Sequence, residues 1–194
     1  ALGQAVSGSD DGSMRLWDLN DARLLGEVKA HSGGVNCLAV NWPQRRALSG
    51  SDDGLLRLWA LDGFEQLLEL RGHTDAVNCH DVDWDAQRAA SGSDDGVLMI
   101  WDLGSGSFLA RLEASTLEVE DPHNGVAPQL ISRAGYVETA INCLAMDWGS
   151  QRALCGCRDS LLRLWDLENQ VILQVMHGHV GQVLCLQVDW AARC

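Results

Sequence analysis

Apolar and polar residues alternate along this chain in short runs separated by turn-forming clusters. "ALSGS" ends at Asp52-Asp53-Gly54, a tight hairpin signal, and "LLRLWAL" follows with alternating apolar positions. "FEQLLELRGH" then leads into "AVNCHDV", and "DWDAQRAA" turns the chain back. The pattern predicts strands of under about eight residues joined by hairpins, with no helical periodicity over most of the chain. The expected fold class is all-β. One stretch, "EASTLEVEDPHNGVAPQLISRAGY", breaks the pattern and is read as a loop insertion, either loosely ordered or holding a short helix.

The same pattern recurs at a fixed distance. Trp17, Trp59 and Trp101 stand 42 residues apart, and Trp165 follows after 64; Trp42, Trp84, Trp148 and Trp190 repeat the intervals as 42, 64 and 42. All eight tryptophans therefore fall into two series, and the excess of 22 residues marks the insertion. The predicted units are 1–42, 43–84, 85–148 with the inserted loop at about 114–135, and 149–190, with residues 191–194 starting a further one. A four-stranded antiparallel unit cannot cover both of its faces alone. Stacking copies around an axis covers each with the next, which is the propeller arrangement.

Within the repeat, His73 lies 28 residues before Trp101-Asp102, His31 lies 28 before Trp59-Ala60, and "SGSDDG" stands between. These residues resemble the WD-repeat β-propeller family over nearly the whole chain. The resemblance implies a hydrogen-bonded His, Ser, Asp and Trp chain that pins the strands of one blade: His31, Ser49, Asp53 and Trp59, then His73, Ser91, Asp95 and Trp101. In the unit ending at Trp165, Val137 and Cys155 occupy the His and Ser positions, leaving Asp159 and Trp165. Ser7, Asp11 and Trp17 lack an upstream histidine, and His179 lacks the residues after it. Family propellers usually close with seven blades, so four units imply part of a larger ring or a ring completed by a second chain.

Read in one repeat alone, His31, Ser49 and Asp53 look like a hydrolytic triad. Several identically spaced copies in one domain argue instead for architecture, and no enzymatic role is expected. The net charge of −13, from 27 acidic and 14 basic residues, disfavours nucleic acid. No apolar run approaches the roughly 20 residues of a membrane span, and the first residues lack the features of a signal peptide. Cys37, Cys79, Cys143 and Cys185 recur in strand patterns and read as small buried side chains rather than disulfides or metal ligands. Neither metal nor cofactor is expected, and an intracellular, cytoplasmic setting is.

Function is therefore sought on the surface. By position in the family resembled, the loop rim carries Asp10, Asp52, Asp94 and Arg158 before the turn aspartates, and Asn36, Asn78, Asn142 and Leu184 early in the first strands; Gln182 and the insertion add variability. The expected role is a noncatalytic scaffold that docks a protein or peptide, preferentially a basic one, on that rim. The alternative is an architectural subunit held through blade edges, with self-association or blades from elsewhere completing it.

Overall fold

A computed structural model describes residues 3–114 and 139–191. Fifteen strands form four antiparallel sheets in chain order, with no helix among the described residues. The first sheet has three strands: β1 (Gln4–Gly8), β2 (Ser13–Asp18) and β3 (Arg23–Lys29). The second contains β4 (Val35–Asn41), β5 (Arg46–Ser51), β6 (Leu56–Ala60) and β7 (Glu65–Leu70). The third contains β8 (Val77–Asp83), β9 (Arg88–Ser93), β10 (Val97–Asp102) and β11 (Phe108–Glu113). The fourth contains β12 (Ile141–Asp147), β13 (Arg152–Cys157), β14 (Leu162–Asp166) and β15 (Val171–Met176). The four sheets follow one another along the chain as the expected propeller blades would, and they are not closed into a ring.

Blade and sequence repeat are offset by one strand. β4 belongs to the first 42-residue unit by sequence, yet pairs with β5 of the next. Among the described residues the first blade accordingly has no equivalent of β4, and β1 pairs with β2 alone. At the other end, residues 183–189 ("VLCLQVD") match the first-strand pattern but join no sheet. The expected insertion lies almost wholly outside the described residues.

The turn chemistry is local. Gly54 and Gly96 close the "SDDG" hairpins at φ of 76° and 74°, a region that favours glycine. Ser160 holds the same place in the fourth blade at φ 72°.

Three cores form between blades rather than within them. Met14 and Ala30 meet Val35, Ala47, Trp59 and Leu61. Leu48, Leu56, Leu58 and Leu70 meet Val77, Met99 and Trp101. Leu98, Ile100 and Leu112 meet Ile141, Cys155 and Trp165. Each of these indoles thus packs against the preceding blade. Trp17, with no preceding blade described, is only half-buried.

A second contact recurs at every junction. Gly50 lies where a Cβ would stand 2.8 Å from Val77 Cγ1 and 2.6 Å from Cys37 Sγ. Gly8 faces Val35, Gly92 faces Ile141 and Gly156 faces Val183 in the same way. The glycine of "SGS" is required because the next blade's β-branched side chain fills its missing volume. Gly92→Ala is expected to destabilise the protein by about 1–3 kcal/mol through overpacking against Ile141, without altering strand content. Urea unfolding followed by circular dichroism checks this.

Candidate functional site

The loops before β4 and β8 are pinned to the neighbouring hairpins by buried polar chains. In the third blade, Trp101 Nε1 donates to Ser91 Oγ at 2.8 Å, Ser91 Oγ lies 2.7 Å from His73 Nε2, and His73 Nδ1 lies 3.0 Å from Asp95 Oδ2. The second blade repeats this with Trp59 to Ser49 at 2.9 Å, Ser49 to His31 at 2.7 Å and His31 to Asp53 at 3.0 Å. A neutral imidazole satisfies the whole chain: the indole donates to the hydroxyl, the hydroxyl to Nε2, and Nδ1–H to the carboxylate. Asp53 also accepts the Ser32 and Leu55 N–H groups, and Asp95 those of Thr74 and Val97. Ser49 and Ser91 are fully buried, so a substrate carbonyl has no path to either hydroxyl.

The incomplete copies separate. Ser7 accepts from Trp17 Nε1 at 2.9 Å, while Asp11 accepts the Ser13 N–H at 2.8 Å. His179 is exposed and meets no Ser, Asp or Trp among the described residues. Where the fourth blade has Cys155, the buried Trp165 N–H has no hydrogen-bond partner among them. Its Asp159 takes Arg163 in a two-pronged pair at 3.1 and 2.6 Å, as Asp53 takes Arg57 at 3.2 Å in the second blade, an ion pair the sequence reading did not include. The Val137 position falls outside the described residues.

The rim residues are tied to each other. Asn36 Nδ2 donates to Asp52 Oδ1 at 2.7 Å and to the Val77 carbonyl of the next blade at 3.1 Å. Asn78 does the same to Asp94 at 2.7 Å and Ile141 at 3.1 Å, and Asn142 reaches the Val183 carbonyl at 3.0 Å. Register shifts between Val35 and Cys37, Val77 and Cys79, and Ile141 and Cys143 bracket these asparagines. The bulge turns each amide out of its ladder and toward the neighbour. Arg158 crosses back to Asp94 at 3.3 Å.

Electronegative capacity is therefore unequal around the rim. Asp94 is engaged by an amide and a guanidinium, whereas Asp52 is exposed with one oxygen committed to Asn36. Asp10 is exposed and has no side-chain partner among the described residues. Gln182, just before the unpaired segment, and Leu184, within it, are exposed. Among the described residues no cluster of His, Cys, Asp and Glu could hold a metal ion, and no helix is long and apolar enough to cross a membrane.

Burial holds two imidazoles neutral. It lowers the His31 pKa despite the opposing Asp53 carboxylate, and lowers that of His80 to about 4. His80 Nδ1 lies 2.9 Å from Cys37 Sγ, whose thiol is pushed up to about 12 by the same desolvation. Burial opposes ionisation of Asp53, but the Ser32 N–H and His31 hold its pKa low.

Ser91→Ala leaves the Trp101 N–H and His73 Nε2 buried without partners, and a loss of about 2–4 kcal/mol is expected; Ser7→Ala, at the half-exposed copy, should lose less than about 1 kcal/mol. Urea midpoints of the two variants check the difference. Because the folded His31 and His80 pKa values lie below the unfolded value of 6.5, the unfolded chain takes up protons first as pH falls. Stability is expected to decline from pH 6.5 toward 4, and His80→Leu to flatten that decline in urea titrations across the range.

The WD domain, G-beta repeat family model matches residues 3–18, 22–60, 64–102 and 130–166. The chain is similar to NACHT domain- and WD repeat-containing protein 1 of Homo sapiens, with 35% identity over 46 residues. That match covers 23% of this chain and 3% of the human protein. It is also similar to the probable E3 ubiquitin ligase complex SCF subunit sconB of Aspergillus clavatus, 37% identical over 43 residues, which are 22% of this chain and 6% of that protein. Repeats of this family are generally noncatalytic and mediate protein–protein interaction. With matched repeats over more than half of its length, and blades built as described, this chain belongs to the WD-repeat family.

Proposed function

We propose that this chain is a noncatalytic scaffold that docks a basic peptide or protein surface on the rim of its first two blades. The carrying observation is the exposed Asp10 carboxylate beside a partly committed Asp52, in a protein of net charge −13. Charge complementarity of this kind speeds encounter and selects the partner's sign. The rim at Asp94 and Arg158 contributes little, since those groups neutralise one another.

A second reading is favoured by a different observation. Among the described residues β1 has one unpaired edge, and residues 183–189 carry a first-strand pattern without a sheet partner. An architectural subunit joined through these edges would bury both.

A labelled arginine-rich peptide is expected to bind the wild type in fluorescence anisotropy, more weakly as salt rises, while an acidic peptide of equal length does not. Asp10→Lys combined with Asp52→Asn, which keeps an acceptor for Asn36, should weaken binding about tenfold and leave the melting curve unchanged. Unaltered binding in that variant, with particle mass in light scattering rising with concentration, would favour the architectural reading.

A further inference from the structure

The first blade is finished except on one side. Ser7 Oγ accepts from Trp17 Nε1 at 2.9 Å, Asp11 Oδ1 accepts the Ser13 N–H at 2.8 Å, and Arg15 pairs with Glu27 at 2.9 Å as Arg57 pairs with Glu69 at 2.7 Å in the second blade. Three partners found in the complete blades are missing from it among the described residues: a histidine between Ser7 and Asp11, a loop N–H on the second oxygen of Asp11, and a cysteine over Gly8. In the second blade these are His31, Ser32 and Cys37, and in the third His73, Thr74 and Cys79.

One segment carries all three. His179, Val180 and Cys185 stand at the same spacing from Val183 as His31, Ser32 and Cys37 do from Val35, and all three are exposed. The root of the segment is already in place. Val183 fills the hollow at Gly156, its N–H donates to the Cys157 carbonyl at 3.0 Å, and its own carbonyl accepts from Asn142. Residues 183–189 therefore leave the fourth blade where the first strand of a following blade belongs. β1 lies at the other end of the unclosed array, against the second blade through Gly8 and Val35. Segment and gap match but do not meet within one chain.

We propose that two copies of this chain complete one another, residues 179–189 of each serving as the loop and first strand of the other's first blade. The pairing rests on the association through blade edges that the second reading above describes, and it specifies the occupant. The register of β4 on β5 carries over: Cys185 lies beside Gly8, Leu186 beside Ser7 and Val188 beside Ala5. The Ser7 hydroxyl then donates to His179 Nε2, and Asp11 accepts both His179 Nδ1–H and the Val180 N–H. Trp17 gains the preceding blade that Trp59 and Trp101 already have. Two copies with four sheets each make eight blades, the upper end of the propeller range of about four to eight, which a third copy would exceed.

Sedimentation equilibrium of the wild type should show monomer passing to dimer as concentration rises, with Cys185 losing reactivity toward iodoacetamide over the same range. His179→Ala removes a side chain that is exposed in the single chain. Asp11→Asn keeps an oxygen for the Ser13 N–H but sets an amide N–H group against the two incoming donors. Each variant should keep the circular dichroism of the wild type and weaken the dimer about tenfold or more. Mixed in equal amounts, the two variants should form a dimer tighter than either forms alone, since one of its two junctions is then intact. Neither closure of a chain on itself nor indiscriminate adhesion of edges gives that result. A monomer at every concentration overturns both the pairing and the edge-joined reading. A dimer that neither variant weakens, or a mixture no tighter than either variant, overturns the pairing and leaves the edge-joined reading standing.

Discussion

The structure depends on one steric fit: a Val or Ile from the first strand of each blade occupies the space left by a glycine in the blade before. Val35, Val77, Ile141 and Val183 enter beside Gly8, Gly50, Gly92 and Gly156. A sheet that is apolar on both faces has no stable existence in water, so blade must meet blade closely, and backbone is the closest surface a side chain can approach. The interblade tryptophans then add area. Each buries roughly 150–250 Å², a gross gain of about 4–6 kcal/mol at about 25 cal/mol per Å².

Polar groups act on that contact in two directions. The buried His, Ser, Asp and Trp chains fasten a loop to its own hairpin and so hold the loop's following strand against the previous blade. The asparagine amides at the bulges cross the junction itself, from one blade to the next carbonyl. Both are fully connected where complete. In the fourth blade the Ser position is Cys155, and the indole N–H that would need it is left alone among the described residues, while Asp159 pairs with Arg163. The second blade carries the same arginine contact, Arg57 to Asp53 at 3.2 Å, beside its complete chain, so this ion pair accompanies the network rather than replacing it.

The strands, hairpins and repeat were legible because each is local: alternation of period two, turn residues at fixed places, and indoles at fixed intervals. The spacing of His73, Ser91, Asp95 and Trp101 was readable for the same reason. What the rim residues touch was not. Asn36, Asp52 and their equivalents looked like a free polar surface, yet the bulge that reorients the amides is a backbone irregularity with no residue signature. Arg158, one of the expected rim residues, is spent on Asp94. Trp17 and Trp59 are equivalent by sequence but differ in burial, because the difference lies in which neighbour is present. Cys185 likewise shares the pattern of Cys143 but is exposed, its segment having no sheet to join. The open cleft lined by Trp42, Trp84 and Trp148 draws on residues up to 108 positions apart, from Val40 to Trp148, so only the stacking of blades reveals it.

The bulged asparagines have a consequence for growth of the array. Each amide points from a lower-numbered blade to a higher-numbered one, and each glycine hollow receives from the same side. A blade therefore has a donor flank and a receiver flank that are not interchangeable. Addition is polar, like monomers joining a filament head to tail, and two like flanks brought together would leave amides facing amides and hollows facing hollows.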